Sequence, residues 1–416
     1  MRLRFLIPAL FAIAAGSVLP SSACTSVIVS GKATADGRPL LYKHRDSGHP
    51  DNRIQRFQGP VYSFIGLVNS STEDGEVWTG TNSAGFSIMN TASYNIKDDD
   101  VPSSKMDREG ELMYVALGRC RDLPEFEALL DTLPRPMGVE ANFGVIDAHG
   151  GAAYYEVNNH SWVKYDVNEE PSLYRVVTNF SSSGRKEDYR GYERYLTAEE
   201  IMEEISAGRR GLETASHSTL FNSLSRSYRH TLLGMDLEKD WKALERRTGF
   251  SGVAVDQDFI PRRITCAAIV VEGVREGEDP LHTVMWSMVG YPSCSVAFPL
   301  LVGAEDIVPA YLKKGEGTVN CAVCDRSLEI KKKYVFNFDI SNGSHYFRAD
   351  AVIRGCGGRP SLLSCCRKAE KDIDASFKEI FVPWTEGRLT DEDFYARYLS
   401  LQPQWYESFN SAFSAF

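Results

Sequence analysis

An α+β layered sandwich is predicted by three features: a strand-rich opening, helix pairs in the middle, and a second set of strands before a charged tail. β-Branched runs dominate the opening, whereas apolar residues recur at helical spacing over 109–133 and 189–247. Elements grouped this way fit α+β rather than a parallel doubly wound sheet. No glycine-rich loop opens a helix after a strand, so nucleotide binding lacks its usual mark.

Strands are expected at 25–29 and 39–43, joined by a two-residue hairpin turn at Asp36-Gly37, where glycine accepts positive φ. Further strands are expected at 61–68, 76–80, 86–90, 142–147, 152–157, 162–166 and 175–178. Helices are expected at 109–121 and 123–133, closed by Pro134 and Pro136, then at 189–205, 212–224 and 241–247. Strands at 265–272 and 283–290 follow. The tail from Val319 carries the run Lys331-Lys332-Lys333 and an amphipathic stretch at 368–381. The expected organisation is a leader at 1–23, a catalytic domain at 24–300, and a C-terminal extension at 301–416 that completes or packs on the sandwich.

The 416 residues carry a net charge of −10, and an acidic chain without a basic stripe argues against nucleic-acid binding. Arg2 and Arg4, the apolar run 5–18 and the small residues Ser21 and Ala23 form an export signal, with cleavage expected before Cys24. The run is too short for a good membrane span. A lipid-modified, non-catalytic binding protein is the rival reading, but Ser21 stands where such signals prefer an apolar residue. An exported, periplasmic or extracellular protein is therefore expected.

Eight further cysteines permit disulfides without assigning them. Cys321-Ala322-Val323-Cys324 invites a zinc or redox reading. The vicinal pair Cys365-Cys366 does not complete the usual zinc pattern, which favours disulfides or inert thiols, and no metal or cofactor is expected. Cys266, inside an apolar run, reads as a buried small hydrophobe.

Cleavage before Cys24 would create a self-sufficient nucleophile. An α-amine titrates near 7.7–8.0 and a thiol near 8.5, at about the reference values, so the amine can take the thiol proton and return it to a leaving amine. The second strand ends in Lys43-His44-Arg45-Asp46, which a hairpin would fold back toward Cys24.

With these segments the sequence resembles the N-terminal nucleophile hydrolases, especially the choloylglycine hydrolase and penicillin V acylase family and the isopenicillin N acyltransferase-like family. The resemblance covers about residues 24–299. It implies a four-layer αββα sandwich of two mostly antiparallel sheets, with Cys24 as nucleophile and Asp46 beside its amine. The family's basic residue falls on Lys43, where choloylglycine hydrolases carry Arg, so Lys43 and Arg45 both remain open. Gly80-Thr81-Asn82-Ser83-Ala84-Gly85-Phe86 is similar to the family's oxyanion-hole turn and implies that role for Asn82, with Asn90 as a weaker candidate. Val177-Thr178-Asn179-Phe180 matches a Thr-Asn motif and implies a positioning role for Asn179. Pro261-Arg262-Arg263-Ile264 looks like a late cation-bearing strand, with Arg262 favoured over Arg263. Arg226-Ser227-Tyr228-Arg229-His230 is a further candidate for binding an anionic group, set against a solvated helix face.

The expected activity is hydrolysis of a linear amide, such as an N-acyl amino acid, through a thioester on Cys24. Acyl transfer from the same thioester and dipeptidase action remain open. The expected partner is a small-molecule amide, and a homo-oligomer is allowed.

Overall fold

β-Branched residues and strands buried on both faces build two antiparallel sheets in the computed structural model, which describes residues 23–96, 101–249, 252–256, 258–304, 307–338 and 345–416. The expected export signal lies outside the described residues, except for Ala23. In chain order the strands are β1 (Ala23–Val29), β2 (Leu40–Asp46), β3 (Asn52–Gln58), β4 (Ser63–Asn69), β5 (Thr79–Asn82), β6 (Ser87–Ala92), β7 (Ala141–Ile146), β8 (Ala152–Val157), β9 (Trp162–Asp166) and β10 (Tyr174–Val177). They continue as β11 (Arg229–His230), β12 (Met235–Asp236), β13 (Val253–Val255), β14 (Thr265–Glu272), β15 (Val284–Val289), β16 (Phe298–Leu300) and β17 (Tyr346–Arg348). The helices are α1 (Glu109–Arg119), α2 (Leu123–Thr132), α3 (Tyr192–Ser206), α4 (His217–Leu220), α5 (Trp241–Thr248), α6 (Ala322–Ile330), α7 (Ala349–Ile353), α8 (Leu362–Thr385) and α9 (Asp391–Ala412).

One sheet runs β10-β1-β2-β14-β15-β16 and the other is the meander β3 to β9 in sequence order. Every pairing in both is antiparallel. Helices α1 and α2 cover the meander through a core of Phe64, Leu112, Leu117, Phe126 and Phe143. Helices α3, α4 and α8 pack on the other sheet. The two sheets meet where β1 and β2 face β6 to β8. This is the expected α+β sandwich.

The first turn differs from expectation. Val29 pairs with Leu40, so residues 30–39 form the connection instead of a two-residue hairpin. Gly37 still takes a positive φ of 75°, inside a longer loop pinned by Thr34 Oγ1 on the Gly31 and Arg38 carbonyls. The expected helix at 212–224 is also divided, into a 3-10 turn at Gly211–Thr214, α4, and a π turn at Phe221–Ser225. Ser216 caps α4 by accepting from Thr219 N–H, which starts a new helix inside the apolar pattern.

The tail belongs to the same packed body. Helices α8 and α9 pair with each other, and Phe377, Trp384, Tyr398, Trp405 and Phe409 join the core that also contains Ile28, Leu41 and Ile269. Among the described residues, no helix is long and apolar enough to cross a membrane.

Candidate active site

Strand alternation sorts the side chains at the start of β1 onto two faces. Ser26 accepts from Tyr154 OH of the meander at 3.0 Å, and Ile28 approaches Gly144. Cys24 shares their parity and so points between the sheets. Thr25 faces the other way, accepting from Arg194 of α3 at 3.1 Å.

On β2 the same rule separates Lys43 and Arg45 from His44 and Asp46. Lys43 Nζ reaches across the layer to Asn90 Oδ1 at 2.8 Å and the Trp78 carbonyl at 2.5 Å. Burial pushes its ammonium down to about 8, while the neighbouring Cys24 sulfur opposes that shift. Arg45 is opposite Cys24 in the register, but its guanidinium is taken up by Asn52, Asn69 and the Trp78 ring. Of the two open candidates, Lys43 is the one whose ammonium interacts electrostatically with the Cys24 sulfur, while it is also held by Asn90 and the Trp78 carbonyl.

Asp46 lies on the opposite face and is wholly buried. Its carboxylate accepts from Arg262 Nε at 2.8 Å and from Thr265 Oγ1 at 2.6 Å. Arg263 turns away, over the Phe336 ring, so Arg262 is the arginine that meets Asp46. His44 stands 3.6 Å from Asp46. Its burial, only partly offset by that carboxylate, lowers its pKa to about 4, so the imidazole is neutral at ordinary pH.

Asn179 follows β10, directly beside β1. Its Oδ1 accepts from Cys24 N–H at 2.9 Å and from Arg194 Nη2 at 2.8 Å, and its Nδ2 donates to the Ala92 carbonyl at 2.9 Å. Ala23, the residue before Cys24, pairs with Asp46 across β1 and β2. The peptide nitrogen of Cys24 is thus held by Asn179, at the end of the hairpin where Ala23 lies opposite Asp46.

Asn82 does something else. Its Nδ2 donates to the Leu117 and Cys120 carbonyls at 2.9 and 2.7 Å, and its Oδ1 accepts from Ala84 and Phe86 N–H. Both amide hydrogens therefore tie down the C-terminal end of α1, where helix carbonyls lack intrahelical partners. No donor is left for an oxyanion, which corrects the expectation for Asn82. Asn90, the weaker candidate, is the asparagine that shares the inter-sheet layer with Lys43.

Arg194 escaped sequence reasoning, though it is only 1% exposed. Besides Thr25 and Asn179 it donates to the Cys24 carbonyl at 2.6 Å, and burial lowers its pKa to about 10. The signal was present: Arg194, Thr197, Ala198, Ile201 and Met202 form the buried stripe of α3, and a charge on such a stripe needs a buried partner. Lys331 is a second case. Part of the charged run 331–333, it is buried, donating to the Thr265 carbonyl at 3.0 Å above the Tyr291 ring.

No protein family and no curated protein matches the chain in sequence. Solved structures that are similar include the Caenorhabditis elegans N-acylethanolamine-hydrolyzing acid amidase ortholog, at 14% identity over 60% of this chain and 92% of that one, with a TM-score of 0.40. A penicillin V acylase from Agrobacterium tumefaciens is similar at 12% identity over 68% and 87%, with a TM-score of 0.36. A variant of the conjugated bile acid hydrolase from Clostridium perfringens gives 11% over 64% and 89%, with a TM-score of 0.33. All three are N-terminal nucleophile hydrolases. Similarity at this level does not decide chemistry.

Proposed function

We propose that the chain is an exported cysteine amidase that cleaves linear, non-peptide amide C–N bonds through a thioester on Cys24, once residues 1–23 are removed. The observation that carries this reading is the 2.9 Å contact between Cys24 N and Asn179 Oδ1, beside a buried Asp46 held by Arg262 and Thr265. Removing Ala23 would turn that peptide nitrogen into an amine oriented by Asn179, at the strand end where Ala23 pairs with Asp46.

The amine takes the Cys24 proton, and Lys43 stabilises the resulting thiolate through its charge. The sulfur attacks the amide carbonyl. Lys43 on the neighbouring strand β2 and Asn90 across the layer supply the positive field for the developing oxyanion. The protonated amine then passes its proton to the departing amine, and a water deprotonated by the same amine cleaves the thioester. Arg194 acts as a positioning residue, tying Asn179 and the Cys24 carbonyl to α3.

The test is a panel of acylated amines, including N-acyl amino acids, assayed for amine release with and without a thiol acceptor. Amine release with free acid as the acyl product supports a hydrolase. An acylated acceptor would make the chain a transferase, and release unaltered in Cys24→Ala would overturn the reading.

A further inference from the structure

Helix α6 opens on Cys321-Ala322-Val323-Cys324, with Cys321 at the N-cap in extended backbone and Cys324 in the first turn. An N-cap side chain normally folds over the third helical residue and accepts from its N–H. Cys321 makes no such cap bond. Its thiol donates to the Asn52 carbonyl at 3.3 Å, while Asn52 N–H donates to Cys324 Sγ at 3.4 Å. The Cys324 thiol also meets the Pro50 carbonyl at 3.7 Å.

Both sulfurs meet the backbone of Asn52, and the neighbouring Cys321 thiol, with burial, raises the Cys324 thiol well above its ordinary range. Both residues are wholly buried. Side chains at i and i+3 on a helix have Cβ atoms about 5–6 Å apart, and a disulfide needs about 3.5–4.5 Å. The N-cap residue can close that gap, since its own backbone lies outside the helix.

We propose that Cys321 and Cys324 are a disulfide site. The two thiols exchange with a small-molecule disulfide such as oxidised glutathione. One S–S bond forms between them, the reagent's S–S bond breaks, and two molecules of the reduced thiol leave with the two protons. The bond would sit on Asn52, whose side chain accepts from Arg45, the β2 residue opposite Cys24. The bond is local to the start of α6: it closes the Cys321–Cys324 loop and removes the thiol proton that Cys321 donates to the Asn52 carbonyl. This inference does not depend on the amidase reading, since no step of it needs turnover.

The full chain is equilibrated with glutathione buffers from fully reduced to fully oxidised, quenched in acid, denatured, labelled with N-ethylmaleimide and digested. Because both thiols are buried, a second arm starts from reduced, denatured protein diluted into the same buffers. The expected result in the oxidised buffers, in either arm, is a peptide containing Cys321 and Cys324 that is about 2 Da lighter and unlabelled. It should take two labels only after reduction. In Cys321→Ala that peptide should carry one labelled cysteine, which shows that the protection requires the pair. Two labels on both residues throughout both arms, or either residue joined to another cysteine or to glutathione at equilibrium, would overturn the proposal.

Discussion

Arg226 and Arg262 are both buried arginines paired with carboxylates, and they differ in how completely they are satisfied. Arg226 donates to the Pro292 and Ser295 carbonyls and holds Glu370 of α8 with two bonds of 2.7 Å. Arg262 binds Asp46 and Asp258, but its Nη2 is a buried donor without a partner among the described residues. Arg194 Nε, in the same cluster, is likewise unpaired among the described residues. Native structures pair nearly all buried polar atoms, so the Arg262 and Arg194 guanidinium groups are less completely satisfied than that of Arg226. The Arg226 site is a joint between sheet and tail. The stretch 226–230 is neither an anion site nor a solvated helix face, because Glu370 neutralises Arg226 while Glu200 and Glu204 hold Arg229.

The contrast can be broken by substitution. Asp46→Asn, which keeps the shape and one of the two acceptor oxygens, should lower kcat/KM for amine release by about 10²–10⁴-fold, with a shift in thermal midpoint of only about a few degrees. Arg226→Leu should do the reverse. It strands Glu370 and should cost about 3–5 kcal/mol of unfolding free energy, measured in urea, while turnover per folded molecule stays within about twofold. Comparable losses of activity in both variants would erase the distinction.

Titration sharpens it. On the tail side, His217 stacks on Trp286 at 3.7 Å and bridges Glu272 and Asp374. Burial disfavours its charge, but the two carboxylates outweigh that and raise its pKa to about 9. A raised folded pKa means that the contribution is complete below about 6.5, the unfolded value, and is lost as pH passes 9. The stability difference between wild type and His217→Gln should therefore reach about 1–3 kcal/mol at pH 6 and vanish by pH 10. On the site side, the Lys43 ammonium disappears as pH rises through about 8, removing the cation that favours the thiolate. The kcat/KM profile should fall on its alkaline side by about tenfold per unit above 8, and Lys43→Arg should push that limb beyond pH 10.

The parts of the site legible in sequence are those carried by recognisable motifs. Lys43, Asp46 and Arg262 rest on the family resemblance, and strand parity alone leaves Lys43 and Arg45 unseparated because both fall on one face of β2. Asn82 misled because a Gly-x-Asn turn has the same residues whether its amide faces a substrate or a helix end, and only the position of α1 distinguishes them. Strand β3 was not expected, because Asn52, Arg53, Gln55 and Arg56 make it polar, as suits its place at a sheet edge. Helix α9 was missed in a tail whose apolar residues are aromatic and interrupted by Pro403. The pairing of Arg194 with Asn179 and Cys24 depends on how α3 crosses β1, a tertiary fact that local pattern does not encode.

The central claim is that Cys24 acts only when its own nitrogen is a free amine. The most direct measurement is the amine-release rate of two purified chains, one beginning at Cys24 and the other one residue earlier at Ala23. The account predicts turnover from the first and at least a 10³-fold lower rate from the second, an order of magnitude set by loss of the general base together with a blocked Asp46. Equal rates from the two chains would contradict it.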